Sequence, residues 1–179
     1  MPSETELVQR AVQRDAAAFG ELYSVYLNKV YRYIYYKVGN ATEAEDLTEQ
    51  VFLQAWEAID RYRQQGAPFA AWLFRLAHNR VIDYQRTLKS PAPLDPSLED
   101  RRPGPEEVVA RRLDAQALQQ AIKRLSEEQQ QVILLRFVEG MSHAEVGAII
   151  GKGEGAVRSI QYRALLALRE ILSAYPKTS

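Results

Sequence analysis

The stretch SHAEVGAIIGKGEGAVRSIQYRALLALR, residues 142–169, leaves its backbone few choices. Ser142 with Glu145 three residues on has the form of a capping box, in which each side chain satisfies an amide at the start of a helix. Ala144, Val146, Ile149 and Ile150 then supply a narrow apolar stripe for about two turns. Gly151-Lys152-Gly153 interrupts it, and a second helix is predicted from near Glu154 with Val157, Ile160, Leu165 and Leu168 as its apolar positions. Two short helices joined by a glycine turn make a helix-turn-helix, an arrangement whose second helix can enter a major groove. That helix carries Arg158, Ser159, Gln161 and Arg163 on the faces its stripe leaves free. Arginine forks suit guanine edges and phosphates, and glutamine suits adenine. An ordinary helical hairpin with a solvated basic face has the same spacing, so the rest of the chain must decide between the two.

At 179 residues the chain has room for one domain or two small ones, and 46% hydrophobic residues are enough to bury real cores. No apolar run reaches about 18 residues, so no transmembrane helix is expected. The opening MPSETELVQRAVQRD lacks the apolar core of a signal peptide. With no cysteine there is no disulfide framework and no thiolate zinc site, and a cytoplasmic protein is expected.

The formal net charge of zero hides a separation. Residues 41–60 hold six acids (Glu43, Glu45, Asp46, Glu49, Glu57, Asp60) and no Lys or Arg, whereas residues 61–86 hold five arginines (Arg61, Arg63, Arg75, Arg80, Arg86) against Asp83 alone. Opposite local fields suit two partners of opposite charge. Solvated helix faces produce such runs as well, and the acids near a helix start also favour its dipole.

In chain order, Glu4–Arg14 reads as a first helix. Asp15 caps a second, Ala16–Val38, whose Tyr31, Tyr33, Tyr35 and Tyr36 read mostly as core rather than as a base-stacking platform. Gly39-Asn40 ends it. Thr42 with Glu45 suggests a capping box for a helix running to about Tyr62, with Leu47, Val51, Phe52, Ala55, Trp56 and Ile59 in its stripe. After the loop Arg63–Pro68, a fourth helix is predicted over Phe69–Gln85. Its Arg75, Asn79, Ile82 and Arg86 follow one another at helical spacing, a face that could grip the phosphates of a single strand whose bases sit in the loop. Five prolines between Thr87 and Pro105 mark a stiffened linker. Helical pattern returns from Glu106, Ser126 with Gln129 offers a further capping box, and Val132–Phe137 reads as a buried helix closed by Gly140. The fold class expected is all-α: two small helical domains, 1–86 and 108–179, joined by the Pro-rich linker 87–107, the second a helix-turn-helix domain.

DLTEQVFLQAWEAIDRYR (46–63) followed by FAAWLFRLAHNRVIDYQR (69–86) resembles the first domain of bacterial extracytoplasmic-function (ECF) sigma factors of the sigma-70 family. LSEEQQQVILLRFVEGMSHAEVGAIIGKGEGAVRSIQYRALLALRE (125–170) resembles their second, in the same order and across a similar linker. The resemblance implies a protein that binds core RNA polymerase, directs it to promoters and opens the start-proximal element. It implies that Asp46, Leu47, Glu49, Gln50, Phe52 and Trp56 dock on the polymerase clamp. It places Gln65 and Phe69 at a pocket for a flipped base of the −10 element, with Arg75, Asn79, Arg80 and Arg86 supporting that strand. Arg158, Ser159, Gln161, Tyr162 and Arg163, with Lys152 in the turn, match the −35-reading unit. Asp95, Glu99 and Asp100 fall where the family threads its linker through the polymerase cleft. Promoter DNA, double- and single-stranded, and an anti-sigma factor are the further partners implied.

Two positions depart from the family pattern. Lys152 stands where an apolar residue is usual, so it either loosens the contact between the helices or gains a phosphate. Gly153 stands where a serine or threonine cap is usual, at a difference of only a few tenths of a kcal/mol. A stand-alone helix-turn-helix regulator would leave residues 15–86 without a role. An enzyme fits less well: His78 and His143 are the only histidines, and neither a nucleophile–base arrangement nor a glycine-rich phosphate loop occurs. No catalytic residue, metal site, cofactor or small-molecule substrate is expected.

Overall fold

Ser3 accepts the Glu6 amide at 3.2 Å and opens α1 (Glu4–Val12), which buries Leu7, Val8 and Ala11. A computed structural model describes residues 2–63, 68–88 and 116–174. The first helix stops earlier than the periodicity suggests because Arg14 takes a left-handed backbone (φ 67°). The Arg14 guanidinium donates to the Trp56 and Glu57 carbonyls and pairs with Asp60 at 3.3 Å, contacts that offset an unfavourable conformation for a residue with a Cβ. Asp15 accepts the amides of Ala17 and Ala18 and starts α2 (Ala16–Val38). Gly39, at φ 79°, ends α2 with its amide on the Tyr35 carbonyl.

The cap of α3 (Ala41–Ala58) is Asn40, which accepts the Glu43 amide at 3.0 Å; Thr42 lies inside the helix. The left-handed Gly39 sets the chain extended at Asn40, one residue after the turn, so the helix begins before the expected Thr42–Glu45 box can form. A 3₁₀ turn, Ile59–Arg61, follows, and then α4 (Phe69–Leu88). These helices pack around Leu22, Val30, Tyr33, Ile34, Val51, Phe52, Leu73, Phe74 and Ala77. Tyr33 is fully buried edge-on to Phe74 (5.4 Å), and Tyr31, Tyr35 and Tyr36 are half-buried against the core.

Residues 116–123 form α5. Both expected capping boxes in this half are present: Ser126 with Gln129 opens α6 (Glu127–Ile133), and Ser142 with Glu145 opens α7 (His143–Ile150). Between them Leu134–Val138 winds as one π-helical turn, closed by the Glu139 amide on the Leu134 carbonyl (3.0 Å). Gly151 (φ 75°) ends α7, and α8 (Glu154–Ser173) starts at Gly153 without a side-chain cap. The buried line of α8 is Val157, Ile160, Ala164 and Leu168. Ala164 takes the inner seat, and Leu165, expected there, is exposed. The helices are the only regular structure among the described residues, and residues 89–115, which include most of the expected linker with Asp95, Glu99 and Asp100, lie outside them.

Gly147 sets how closely α7 meets the turn. A Cβ there would stand 2.4 Å from the Lys152 carbonyl oxygen, which is backbone and cannot swing aside. Gly147→Ala is therefore expected to destabilise the chain by about 1–3 kcal/mol, the range of overpacked cores, as read from the midpoint of urea unfolding.

Candidate nucleic-acid interface

The outer face of α8 gathers four of the expected reading residues. Arg158, Ser159, Tyr162 and Arg163 are all exposed and line one open surface. Among the described residues Arg158 makes only a long pair with Glu154 (3.5 Å), one turn earlier, which leaves its exposed guanidinium available. Arg163 donates Nε to the Ser159 carbonyl at 3.4 Å. Tyr162 stands 66% exposed between them.

Gln161 lies apart from this group. Its Oε1 is 2.8 Å from His143 Nε2 and 3.3 Å from Arg136 Nε, and Arg136 also donates to the Met141 carbonyl. The side chain expected to read adenine here ties α8 to the start of α7 and to the π turn. The sequence carries no signal for His143 and Arg136, because only tertiary proximity reveals their role. Lys152 pairs with Glu128 at 2.8 Å on α6. Where an apolar anchor would join the turn to its neighbours, an exposed ion pair stands instead, worth about 0–1 kcal/mol.

The residues expected at the −10 strand fall on and around α4. Gln65 lies outside the described residues. Phe69 is buried in an aromatic cluster with Tyr26, Tyr62 and Trp72, at ring separations of 5.5, 6.0 and 5.8 Å. Asn79 and Arg86 are exposed, Arg80 is half-buried with an Nε that has no partner among the described residues, and Arg75 donates to two carbonyls of α7.

Of the expected polymerase-docking residues, Asp46, Glu49 and Gln50 share the exposed side of α3, while Leu47 and Phe52 are in the core. Trp56 is half-buried against Phe19 (5.1 Å) with Arg14 over its ring. Leu53, 60% exposed, completes a line with Asp46, Glu49 and Gln50 at helical spacing and is absent from the docking residues that the resemblance implies. Its position off the buried stripe is the signal the sequence offers. Beside it, Tyr23, Leu27, Asn28, Tyr31, Glu45, Thr48 and Glu49 bound a groove of about 420 Å³ between α2 and α3. Among the described residues no cluster of His, Asp and Glu could hold a metal ion, and no helix is long and apolar enough to cross a membrane.

The family Sigma-70 region 2 matches residues 22–90, and Sigma-70, region 4 matches residues 121–170. The ECF RNA polymerase sigma factor ShbA of Streptomyces griseus is 34% identical over 177 residues, covering 92% of this chain and 93% of ShbA. The chain belongs to the extracytoplasmic-function sigma factors of the sigma-70 family. The sigma factor BldN of Streptomyces coelicolor is 42% identical over 173 residues, 93% of this chain, which spans 65% of BldN's length. Among solved structures, CnrH in complex with the cytosolic domain of CnrY superposes with a TM-score of 0.75 at 26% identity, over 95% of this chain and 97% of CnrH. The basic surface of α8 thus belongs to sigma region 4, and the acidic side of α3 to region 2.

Arg158→Ala and Arg163→Ala are each expected to impair promoter use while sparing polymerase binding. A base contact is worth roughly 1–3 kcal/mol of discrimination, whereas a phosphate contact weakens all sequences alike. Footprinting on matched and scrambled upstream elements separates the two, and full activity in both variants would place the reading face elsewhere.

Proposed function

We propose that this chain is a promoter-specificity subunit of RNA polymerase, without catalysis of its own. It binds the core enzyme through the first half, reads the −35 element with α8 and holds the opened −10 strand against α4. The observation that carries the proposal is the occurrence of both sigma regions, in order, on one chain with two oppositely charged exposed faces. A stand-alone regulator needs only the basic face. The site of action is the cytoplasm, where the polymerase and promoter DNA meet. CnrH is bound by the cytosolic domain of CnrY, and an anti-sigma factor that holds this chain in a comparable way is part of the proposal.

The docking surface is the line Asp46, Glu49, Gln50 and Leu53 with the adjoining groove, an apolar centre inside an acidic rim. Leu47 and Phe52 support it from below. Reversing Asp46 and Glu49 to Lys is expected to weaken core binding, since like-charge contacts cost up to several kcal/mol. Unchanged affinity of the folded double variant in a pull-down titration with core enzyme would rule this face out. Transcription in vitro from genomic fragments, with start-site mapping, tests the activity itself.

A base read from an open strand must leave its stack at a cost of a few kcal/mol and then be held by a pocket and by polar groups along the backbone. Asn79, exposed on α4, is one such group. Asn79→Ala is expected to leave closed-complex formation intact and to lower permanganate reactivity of promoter thymines. A pre-melted bubble template should restore much of the activity; equal failure on duplex and bubble would assign Asn79 another role.

A further inference from the structure

Gln161 sits at the rim of the α8 reading face. Each helical residue advances about 100°, so a residue three positions after Arg158 lies about 60° from it around the axis, here on the side toward buried Val157 and Leu168. The side chain is half-buried, and its planar amide has two unlike ends, an oxygen that accepts and an NH2 that donates. Arg136 decides which end faces inward. Its Nε can only donate, so the Gln161 atom 3.3 Å away is the carbonyl oxygen. The same oxygen is 2.8 Å from His143 Nε2, which must therefore carry a hydrogen toward it.

Both donors are themselves held. Arg136 donates Nη1 to the Met141 carbonyl and lies over the Phe137 ring at 5.6 Å. His143 is the first residue of α7, set in place by the Ser142–Glu145 capping box. With one donor on each lone pair, the Gln161 carbonyl has none to offer a base. Turning the amide over would set its NH2 against Arg136 Nε, donor against donor. The NH2 end differs: among the described residues it has no acceptor, and unlike Arg80 Nε it is not closed off from solvent. A free glutamine reads adenine with both ends, accepting from N6 and donating to N7. Gln161 has only the donating end to give.

We propose that Gln161 is a specificity-determining donor: His143 and Arg136 hold its amide so that α8 takes a keto base, guanine or thymine, at one position of the −35 element and rejects adenine and cytosine there. Guanine O6 and N7 and thymine O4 are acceptors in the major groove. Adenine N6 and cytosine N4 present hydrogens, which would face the hydrogens of the amide. His143 and Arg136 act as positioning residues, since they work through Gln161 and need not touch the base. The proposal rests on the reading of α8 as the element that contacts the −35 sequence.

The test is a selection from duplex promoters randomised across the upstream element, with the full chain assembled on core polymerase and the bound pool sequenced. One position should favour G or T over A and C by about five- to tenfold, the lower end of the range for a base contact, and the pool shows which of the two is taken. Gln161→Glu keeps an oxygen for both donors but has no hydrogen to give, so it should invert the preference toward A or C at that position alone. Gln161→Met, of similar length and without hydrogen bonds, should flatten it. His143→Phe removes one donor, frees a lone pair on the carbonyl and should bring adenine up to parity with guanine there. Preferences at the other positions and affinity for core should be unchanged in all three, which also shows that the variants fold. A preference that survives in both Gln161 variants would overturn the proposal and leave the −35 reading intact. So would a loss spread evenly over all sequences, the mark of a phosphate contact or of a purely structural tie between α7 and α8. If the wild-type assembly enriches no upstream sequence at all, the −35 reading falls and this assignment falls with it.

Discussion

A lysine buried without solvent needs acceptors fixed around it, since an uncompensated buried charge costs several kcal/mol. Lys37 finds them on three helices from two halves of the chain: Tyr33 on its own helix, His78 on α4 and Glu127 on α6. Around it the apolar packing is continuous, with Tyr33 and Phe74 beneath and Ile122, Leu134 and Leu135 fully buried in the second half. The arrangement of the halves thus follows from a local demand. Lys37 can be buried against α6 only with Glu127 in place, and the same closure brings Arg75 to the end of α7.

Local rules are readable in the sequence wherever the determining atoms lie within one turn. The Ser126–Gln129 and Ser142–Glu145 boxes, the Asp15 cap and the glycine stops at 39 and 151 are of this kind. The Thr42–Glu45 box does not form because Asn40 caps the helix two residues earlier, on the Glu43 amide, and leaves Thr42 inside the first turn. Periodicity turns Leu165 inward because it weighs side-chain type, whereas the space available on α8 fits the small Ala164. Leu47 and Phe52 join the docking residues through a resemblance that does not distinguish a surface residue from the one supporting it; burial makes that distinction, and brings Leu53 forward.

The partners of Arg75 and Gln161 cannot be read from the sequence. Both are polar residues on the free faces of their helices, where a sequence suggests solvent or nucleic acid. Residues 73 and 74 positions further along satisfy Arg75, and His143, 18 positions earlier, meets Gln161. The zero net charge misleads for a related reason. Acidic and basic faces cancel in the sum while the structure keeps them on separate helices, acids on the outer side of α3 and arginines on the outer side of α8.

The π-helical turn at Leu134–Val138 also sets an angular phase. A π turn closes its hydrogen bond one residue later than an α turn, so it holds one residue more over the same span. Each α-helical residue advances about 100° around the axis. With that extra residue, Leu134 and Leu135 stay buried, Phe137 points out at 52% exposure, and the chain reaches Gly140 rotated relative to an unbroken helix. A chain shorter by one residue here could wind as plain α-helix, and everything after it would leave on another bearing. The direction in which α8 presents its arginines is thus set by a count of residues some twenty positions upstream of it, as a shim sets the timing of a camshaft.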